Sequence, residues 1–233
     1  ESEDALDAQY VMGLAQAGLK QFLAATKTYT SILATANPYP AADKVAYELG
    51  WAWIELGKTD EAVAVFHRLA KDWPNSPLAA ESLFRVGEAY YDAGNYSQAT
   101  TAYRDSAQHA STTEIGEKSM HKIGWSCLKA DDFAGSVKAF TDQLTTHPDG
   151  ELAGDARFLA GECHFRTENW QAAKAAYEKV IANRDSNYLA LAIFHAGECA
   201  AWLEDWSSSR RLHEQVLAEF ADFEMRPEAR YGV

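Results

Sequence analysis

The residues best suited to chemistry in this sequence are its cysteines and histidines. Cys163 directly precedes His164, and His195 stands four residues before Cys199, so one helical face could present a thiol and an imidazole together. A closed metal site normally needs four ligands. No nucleotide-binding loop, nucleophile elbow or His-Glu-x-x-His motif is present. No spacing gives a histidine a nucleophile or carboxylate partner, and we predict that the protein is not an enzyme.

Charge and hydropathy exclude two further classes. The 233 residues contain 21 Lys+Arg against 34 Asp+Glu, a formal net charge of −13. A field of this sign repels phosphate backbones, so nucleic acid is not expected as a partner. The uncharged run from Ala8 to Leu19 is too short to cross a bilayer and ends at Lys20, so we expect no membrane span.

The elements that must position these side chains come from a repeat of about 37 residues. Seven glycines, called the register glycines below, recur at intervals of 35 to 37 residues: Gly13, Gly50, Gly87, Gly124, Gly161, Gly197 and Gly232. The residue twelve positions after each is small: Ala25, Ala62, Ala99, Ser136, Ala173 and Ser209. The residue sixteen positions after each carries a ring: Tyr29, Phe66, Tyr103, Phe140, Tyr177 and His213. A small residue lets two helices approach, and the ring one turn later fills the space beside it.

Each repeat reads as two helices joined by a short turn. In the unit 78–114 the pattern predicts helices over 79–92 and 96–108 around the turn 93–95. Gly94, like Gly57, suits a left-handed residue after a helix C-terminus. Asn95, Asp132, Asn169 and Asp205 are predicted to accept hydrogen bonds from the free amides of the helices that follow them. The fold class is therefore all-α.

The same register gives the cysteines a simple role. Cys163 and Cys199 stand two residues after their glycines, in a column that otherwise holds Ala15, Ala52, Ala89 and Ser126. Buried thiols in a stripe of small residues behave as small hydrophobic groups. We therefore expect no bound metal and no cofactor.

The register of glycine, aromatic, alanine, aromatic and proline resembles the tetratricopeptide repeat over almost the whole chain. The longer period is similar to that of bacterial envelope members of this superfamily. The segment 73–91 looks like the repeats of the Tol-Pal-associated periplasmic coordinator and of the lipoprotein of the outer-membrane β-barrel assembly machinery.

This resemblance implies an α-solenoid of stacked antiparallel helix pairs, a superhelix that forms one domain over 1–233. The expected repeats are 1–38, 39–77, 78–114, 115–151, 152–188 and 189–225, with a partial seventh over 226–233. No polar capping repeat is visible, so we expect the chain to be a fragment of a longer array.

In the same family the first helix of each repeat lines a concave groove. The resemblance assigns groove-facing roles to the columns three before, one after and four after the register glycine, which share one stripe of a helix. The predicted peptide-binding residues are Tyr47, Trp51, Phe84, Glu88, Tyr91, His121, Trp125, Phe158, Glu162, Phe165 and Glu198.

Two interpretations compete for that stripe. For the column three before the glycine, we favour rings that pack between neighbouring first helices. For Trp51, Tyr91 and Trp125 we favour contact with a partner, because their columns are otherwise polar or mixed.

The function that follows is a non-catalytic scaffold that binds a protein segment in its concave groove. The carboxylates of the stripe should favour a neutral or basic segment over an acidic one. One alternative is a structural arm of a bacterial envelope assembly that docks through its convex face or its ends. Another is the regulatory array of a larger enzyme. The resemblance implies a periplasmic or envelope location, with the cytoplasm as the alternative.

Overall fold

The computed structural model describes residues 2–35, 39–185 and 187–232. These residues form thirteen helices and no strand, as the all-α class requires. The helices are α1 Glu3–Gly18, α2 Phe22–Leu33, α3 Ala42–Glu55, α4 Thr59–Asp72, α5 Leu78–Asp92, α6 Tyr96–His109, α7 Glu114–Lys129, α8 Phe133–Thr146, α9 Ala153–Arg166, α10 Trp170–Asn183, α11 Leu189–Trp202, α12 Trp206–Glu219 and α13 Arg226–Tyr231. Residue 38, the predicted end of the first repeat, lies outside the described residues.

The chain divides into two compact units, residues 1–119 and residues 120–233, with the boundary inside α7. In unit 1, consecutive helices within α1 to α6 pack on one another, and in unit 2 consecutive helices within α8 to α13 do the same. Consecutive helix pairs are the architecture of a tetratricopeptide-like solenoid, so the predicted fold class is confirmed. That residues 1–233 form a single domain stays a prediction.

The turn inside each repeat has one conformation. Gly57 and Gly94 have φ of 69° and 76°, the left-handed conformation predicted for them. The equivalent position in other repeats is not glycine: Lys20, Asp131, Glu168 and Glu204 have φ between 57° and 60°. The repeat therefore imposes a left-handed residue there even where a side chain makes it costly.

Helix capping follows the prediction at three of the four positions named. The side chains of Asp132, Asn169 and Asp205 accept hydrogen bonds from the amides of Gly135, Ala172 and Ser208. Asn95 precedes α6 with a similar backbone conformation, but its side chain makes no such bond. Nothing in the structure explains this difference.

Each register glycine is needed because a ring packs directly against its Cα. A Cβ atom at Gly161 would stand 2.7 Å from Tyr177 Cε1, and one at Gly87 would stand 2.5 Å from Tyr103 Cδ1. Such distances are too short for any side chain, so the second helix can approach the first only where no Cβ is present. The six ring residues of this column, from Tyr29 to His213, are fully buried, and so are the small residues four positions before each.

Candidate peptide-binding surface

In unit 1 the predicted contact residues lie on α3 and α5. Tyr47 is half-buried, with its ring centroid 5.8 Å from that of Phe66 and 6.3 Å from that of Trp51. Trp51 is also half-buried. Phe84 is buried, and its ring centroid lies 5.4 Å from that of Tyr103 on the second helix of the same repeat.

A cation that sequence reasoning did not place lies among these rings. The guanidinium carbon of Arg85 stands 4.9 Å from the centroid of Trp51 and 5.5 Å from that of Phe84. One guanidinium nitrogen pairs with Glu81 at 2.5 Å. Arg85 stands two residues before Gly87 and three residues before Glu88 of the stripe. The helical period could therefore have placed Arg85 next to the stripe from the sequence.

Tyr91 completes the candidate residues of unit 1. Its half-buried ring meets Tyr96 at 5.4 Å across the turn between α5 and α6. Burial, followed by the neighbouring Tyr96 and Glu88, raises the pKa of the Tyr91 hydroxyl. The hydroxyl therefore stays protonated at neutral pH and can serve as a hydrogen-bond donor.

In unit 2 the aromatic pair on α7 is tied into the core by hydrogen bonds. The indole Nε1–H of Trp125 donates to Nε2 of His121 at 3.0 Å, and Nδ1 of His121 lies 3.1 Å from Oε1 of Gln143. Because Nε2 accepts, the neutral ring carries its proton on Nδ1. His121 is buried and Trp125 is half-buried, so this pair leaves part of the indole and little of the imidazole open to a partner.

The remaining rings of unit 2 are divided in the same way. Phe158 is buried and stacks on Tyr188 at 4.6 Å. Phe165 is half-buried and contacts Trp170 at 5.1 Å and His195 at 5.3 Å. Phe84, His121 and Phe158, from the column three before the glycine, thus each contact the buried ring on the second helix of their own repeat. Packing of this column between neighbouring first helices stays a prediction. The contact of these three rings with a partner remains a prediction as well.

The three carboxylates of the stripe have partners inside their own repeats. The Tyr103 hydroxyl donates to Glu88, and the Tyr177 hydroxyl donates to Oε1 of Glu162 at 2.6 Å, each pair being 15 residues apart. At the same spacing, Nε2 of His213 lies 3.4 Å from Oε1 of Glu198. Glu88 and Glu162 therefore hold the buried tyrosine rings by hydrogen bonds. Glu198 lies beside a histidine whose Nε2 makes no hydrogen bond among the described residues.

The sequence contains a pattern that could have revealed this pairing. Glutamate follows the register glycine in the three repeats just named, whose buried ring has a polar atom. Tryptophan, as Trp51 and Trp125, follows it where the ring is Phe66 or Phe140. In the first repeat the position of these glutamates is held by Leu14. The ring of that repeat is Tyr29, whose buried hydroxyl has no hydrogen-bond partner among the described residues. An unpaired buried hydroxyl is costly, which explains why a tyrosine in this column usually brings a glutamate.

Burial sets the protonation of the groups beside these carboxylates. It raises the pKa of the Tyr103 and Tyr177 hydroxyls, with the bonded glutamates adding to the effect. It lowers the pKa of His195, against the opposing influence of Glu162 and Glu198. His195 is thus neutral at pH 7, and the carboxylates supply the charge of this region.

All three cysteines are buried, and Cys163 and Cys199 lie in the column of small residues. Cys127, Cys163 and Cys199 are buried free thiols, and Cys163 Sγ donates to Ser136 Oγ at 3.3 Å. Burial raises the pKa of Cys199 to about 12, so the thiol stays protonated. Within the described residues, no three His, Cys, Asp or Glu side chains are grouped to hold a metal ion.

A polar cavity of about 390 Å³ lies between the start of α9 and the loop before α11. Asp149, Glu151 and Asp155 contribute to its lining. Arg157, which also lines the cavity, already has partners. Its guanidinium pairs with Asp185 at 3.1 Å and donates to the Pro148 carbonyl at 2.5 Å. None of the predicted contact residues lines this cavity.

Among the helices of the described segments, none combines the length and the apolar character needed to cross a membrane.

The helix pairs, the ring-on-glycine packing and the aromatic first-helix faces define a helical repeat protein. Sequence comparison identifies the class: the tetratricopeptide repeat family model matches residues 4–77, 47–113 and 121–188. The chain belongs to the tetratricopeptide repeat family. Proteins of this family generally act as non-catalytic mediators of protein–protein interaction. A comparison with curated proteins finds no match.

Solved structures share the fold at low sequence identity. The C-terminal part of a TPR repeat-containing protein from Cytophaga hutchinsonii has a TM-score of 0.70 at 15% identity, covering 98% of this chain and 87% of that one. A MamA protein has a TM-score of 0.60 at 16% identity, covering 83% and 97%. PilF of Pseudomonas aeruginosa has a TM-score of 0.54 at 13% identity, covering 99% and 98%. Likeness at this identity establishes the fold alone.

Proposed function

We propose that the chain is a non-catalytic scaffold that binds a protein segment along its first-helix faces, the concave groove of the predicted superhelix. The observation that carries this proposal is the half-burial of Trp51, Trp125 and Phe165 in the predicted stripe. Each ring is held by neighbours yet keeps part of its surface open. Rigid, partly exposed aromatic rings are typical anchors of protein interfaces.

The partner segment should be neutral or basic. The net charge of −13 attracts cations. In unit 2, Oε2 of Glu162 and Oε2 of Glu198 have no partner among the described residues. In unit 1, Arg85 offers donors to carbonyl groups of the segment beside Trp51. Binding through these carboxylates should weaken as salt is added.

Selection and calorimetry together test the proposal. Peptides selected from a random displayed library against the purified chain are titrated into wild type, Trp51→Ala and Trp125→Ala. Trp51→Ala should weaken peptides that bind unit 1, and Trp125→Ala should weaken peptides that bind unit 2. The loss should be about tenfold or more in each case, since truncating a hot-spot ring costs about 2 kcal/mol. The matched control is Trp206→Ala, an exposed tryptophan of α12 outside the stripe. Wild-type affinity in both stripe variants, with circular dichroism showing them folded, would contradict the proposal.

The location and the wider assembly belong to the same proposal. The resemblance to envelope members supports a periplasmic or envelope-associated location, with the cytoplasm as the alternative, and cell fractionation of the native host tests this. The structural arm of an envelope assembly and the regulatory array of a larger enzyme stay predictions that no observation of the structure favours over peptide binding.

A further inference from the structure

One exposed column of the repeat contains an unexpected residue. Five positions after the register glycine stand the charged residues Glu55, Asp92, Lys129 and Arg166, and then Trp202. All five are exposed, and the Trp202 side chain is 64% exposed. Because the column is open in every one of these repeats, the exposure of Trp202 follows from its position in the repeat. A large apolar ring has replaced a charge on a surface that helix packing does not cover.

The indole of Trp202 stacks on a second indole. Trp202, near the end of α11, stacks on Trp170 at the start of α10, with centroids 5.3 Å apart and an interplanar angle of 12°. Trp170 in turn contacts Phe165 at 5.1 Å. One face of the Trp202 ring is therefore covered by Trp170, and its exposure belongs to the opposite face and the edge. Fixing an aromatic surface before binding removes an entropic cost of association.

A carboxylate stands on the same face of α11. Glu198 precedes Trp202 by four residues, the spacing that places two side chains next to each other on a helix. Its side chain is 38% exposed, and Oε1 lies 3.4 Å from Nε2 of His213, which leaves Oε2 without a partner among the described residues. Glu162 on α9 adds a second charge, with its Oε1 3.8 Å from Nε2 of His195.

Among the described residues, no cation lies over the exposed face of Trp202. In the segments that the structure describes, the guanidinium that lies over rings is that of Arg85, in unit 1. Lys174, on α10, is directed to Glu178 at 3.4 Å and Asp205 at 3.8 Å. An electron-rich indole face next to a carboxylate attracts a planar cation, and a guanidinium fits this pair better than an ammonium because it stacks and donates in a fork.

We propose that Trp202 and Glu198 form a recognition site for an arginine side chain of the bound protein segment. The guanidinium stacks on the exposed face of Trp202 and donates hydrogen bonds to the Glu198 carboxylate, while Glu162 adds attraction at longer range. This inference rests on the proposed function and specifies the partner: a segment that carries arginine where it reaches unit 2.

The test follows the indole N–H signal of Trp202 in the 15N-labelled chain, assigned by its loss in Trp202→Phe. The probes are a blocked Gly-Ser-Arg-Ser-Gly peptide and its citrulline analogue, which has the same shape without the charge. The arginine peptide should shift this signal saturably with a Kd of about 1 mM, a weak value because one side chain makes the contact. The citrulline peptide should bind at least several-fold more weakly. The indole signal of Trp206, which is 67% exposed, is the internal control and should not move.

Two variants separate recognition from folding. Glu198→Gln keeps the shape and removes the charge, and should weaken the arginine peptide about fivefold or more. Trp202→Ala changes an exposed ring and should abolish binding of the arginine peptide, followed here by the backbone amide signals of α11. The indole signals other than that of Trp170, which loses its stacking partner, should keep their wild-type positions. Equal binding of the arginine and citrulline peptides, or full affinity in Glu198→Gln, would overturn the inference. If peptides from the displayed library still depend on Trp51 and Trp125 in that case, the proposed function stands and this site alone is rejected.

Discussion

The pairing of buried rings with glutamates can be tested by one chemical change made at two equivalent positions. Tyr177→Phe and Tyr29→Phe each remove a single hydroxyl from a fully buried ring in the same column of the repeat. The Tyr177 hydroxyl donates to Glu162 at 2.6 Å, whereas the Tyr29 hydroxyl has no partner among the described residues. Tyr177→Phe should therefore lower the free energy of unfolding, whereas Tyr29→Phe should not.

The magnitudes follow from the cost of each hydroxyl. A hydrogen bond to a charged acceptor contributes about 1.5–3 kcal/mol net, so Tyr177→Phe should lower the free energy of unfolding by about 2 kcal/mol. A buried hydroxyl without a partner costs about 1–3 kcal/mol, so Tyr29→Phe should be neutral or stabilise by about 1 kcal/mol. The variants should differ by about 2–3 kcal/mol although the atoms removed are identical.

Urea unfolding at pH 7, followed by far-ultraviolet circular dichroism, measures the difference. Because repeat arrays can unfold in parts, hydrogen exchange of the α9 and α10 amides serves as a local readout of the Tyr177 repeat. Glu162→Gln should reproduce part of the loss in wild type and add little to Tyr177→Phe. Equal destabilisation by the two tyrosine variants would refute the reasoning, since it would mean that the glutamate contact contributes nothing.

Two further predictions concern the turns and the thiols. Glu168 has a φ of 57°, so Glu168→Gly should raise the free energy of unfolding by about 0.5–1 kcal/mol by relieving left-handed strain. Gly94→Ala, at the equivalent turn, should lower the free energy of unfolding by about 1 kcal/mol. Thermal melts measure both changes, and a melting temperature of Glu168→Gly at or below that of wild type would contradict the prediction. The pKa of Cys199 is raised from 9.0 to about 12 in the folded protein. The contribution of this thiol to the free energy of unfolding is therefore complete below pH 9. It is lost as the thiol of the unfolded chain ionises between pH 9 and pH 12, by up to about 1.4 kcal/mol per pH unit. The unfolding free energy of Cys199→Ala should therefore fall less steeply over this range than that of wild type, and parallel slopes would show that the thiol is not the group responsible.

The sequence alone determined the repeat and its local structure. The glycine period, the helical spacing of apolar residues and the turn at Gly94 predicted α5 and α6 to within one residue of their ends. These features depend on contacts within a turn of helix or within a short loop, and the repeat presents them several times over. The burial of Cys163 and Cys199 followed from the same column analysis, because a position that is small in every repeat faces a close helix crossing.

Only the tertiary structure decided which stripe residues meet one another and which stay open. A position on a helix fixes the direction of a side chain, but its neighbour depends on how the next helix crosses and on the rotamer each residue adopts. Arg85 lies over Trp51 of the preceding repeat, and Trp202 stacks on Trp170 across α10 and α11. The glutamates, read from the sequence as groups that select a partner, also accept hydrogen bonds from buried tyrosines, because the second helix of each repeat brings those hydroxyls to them.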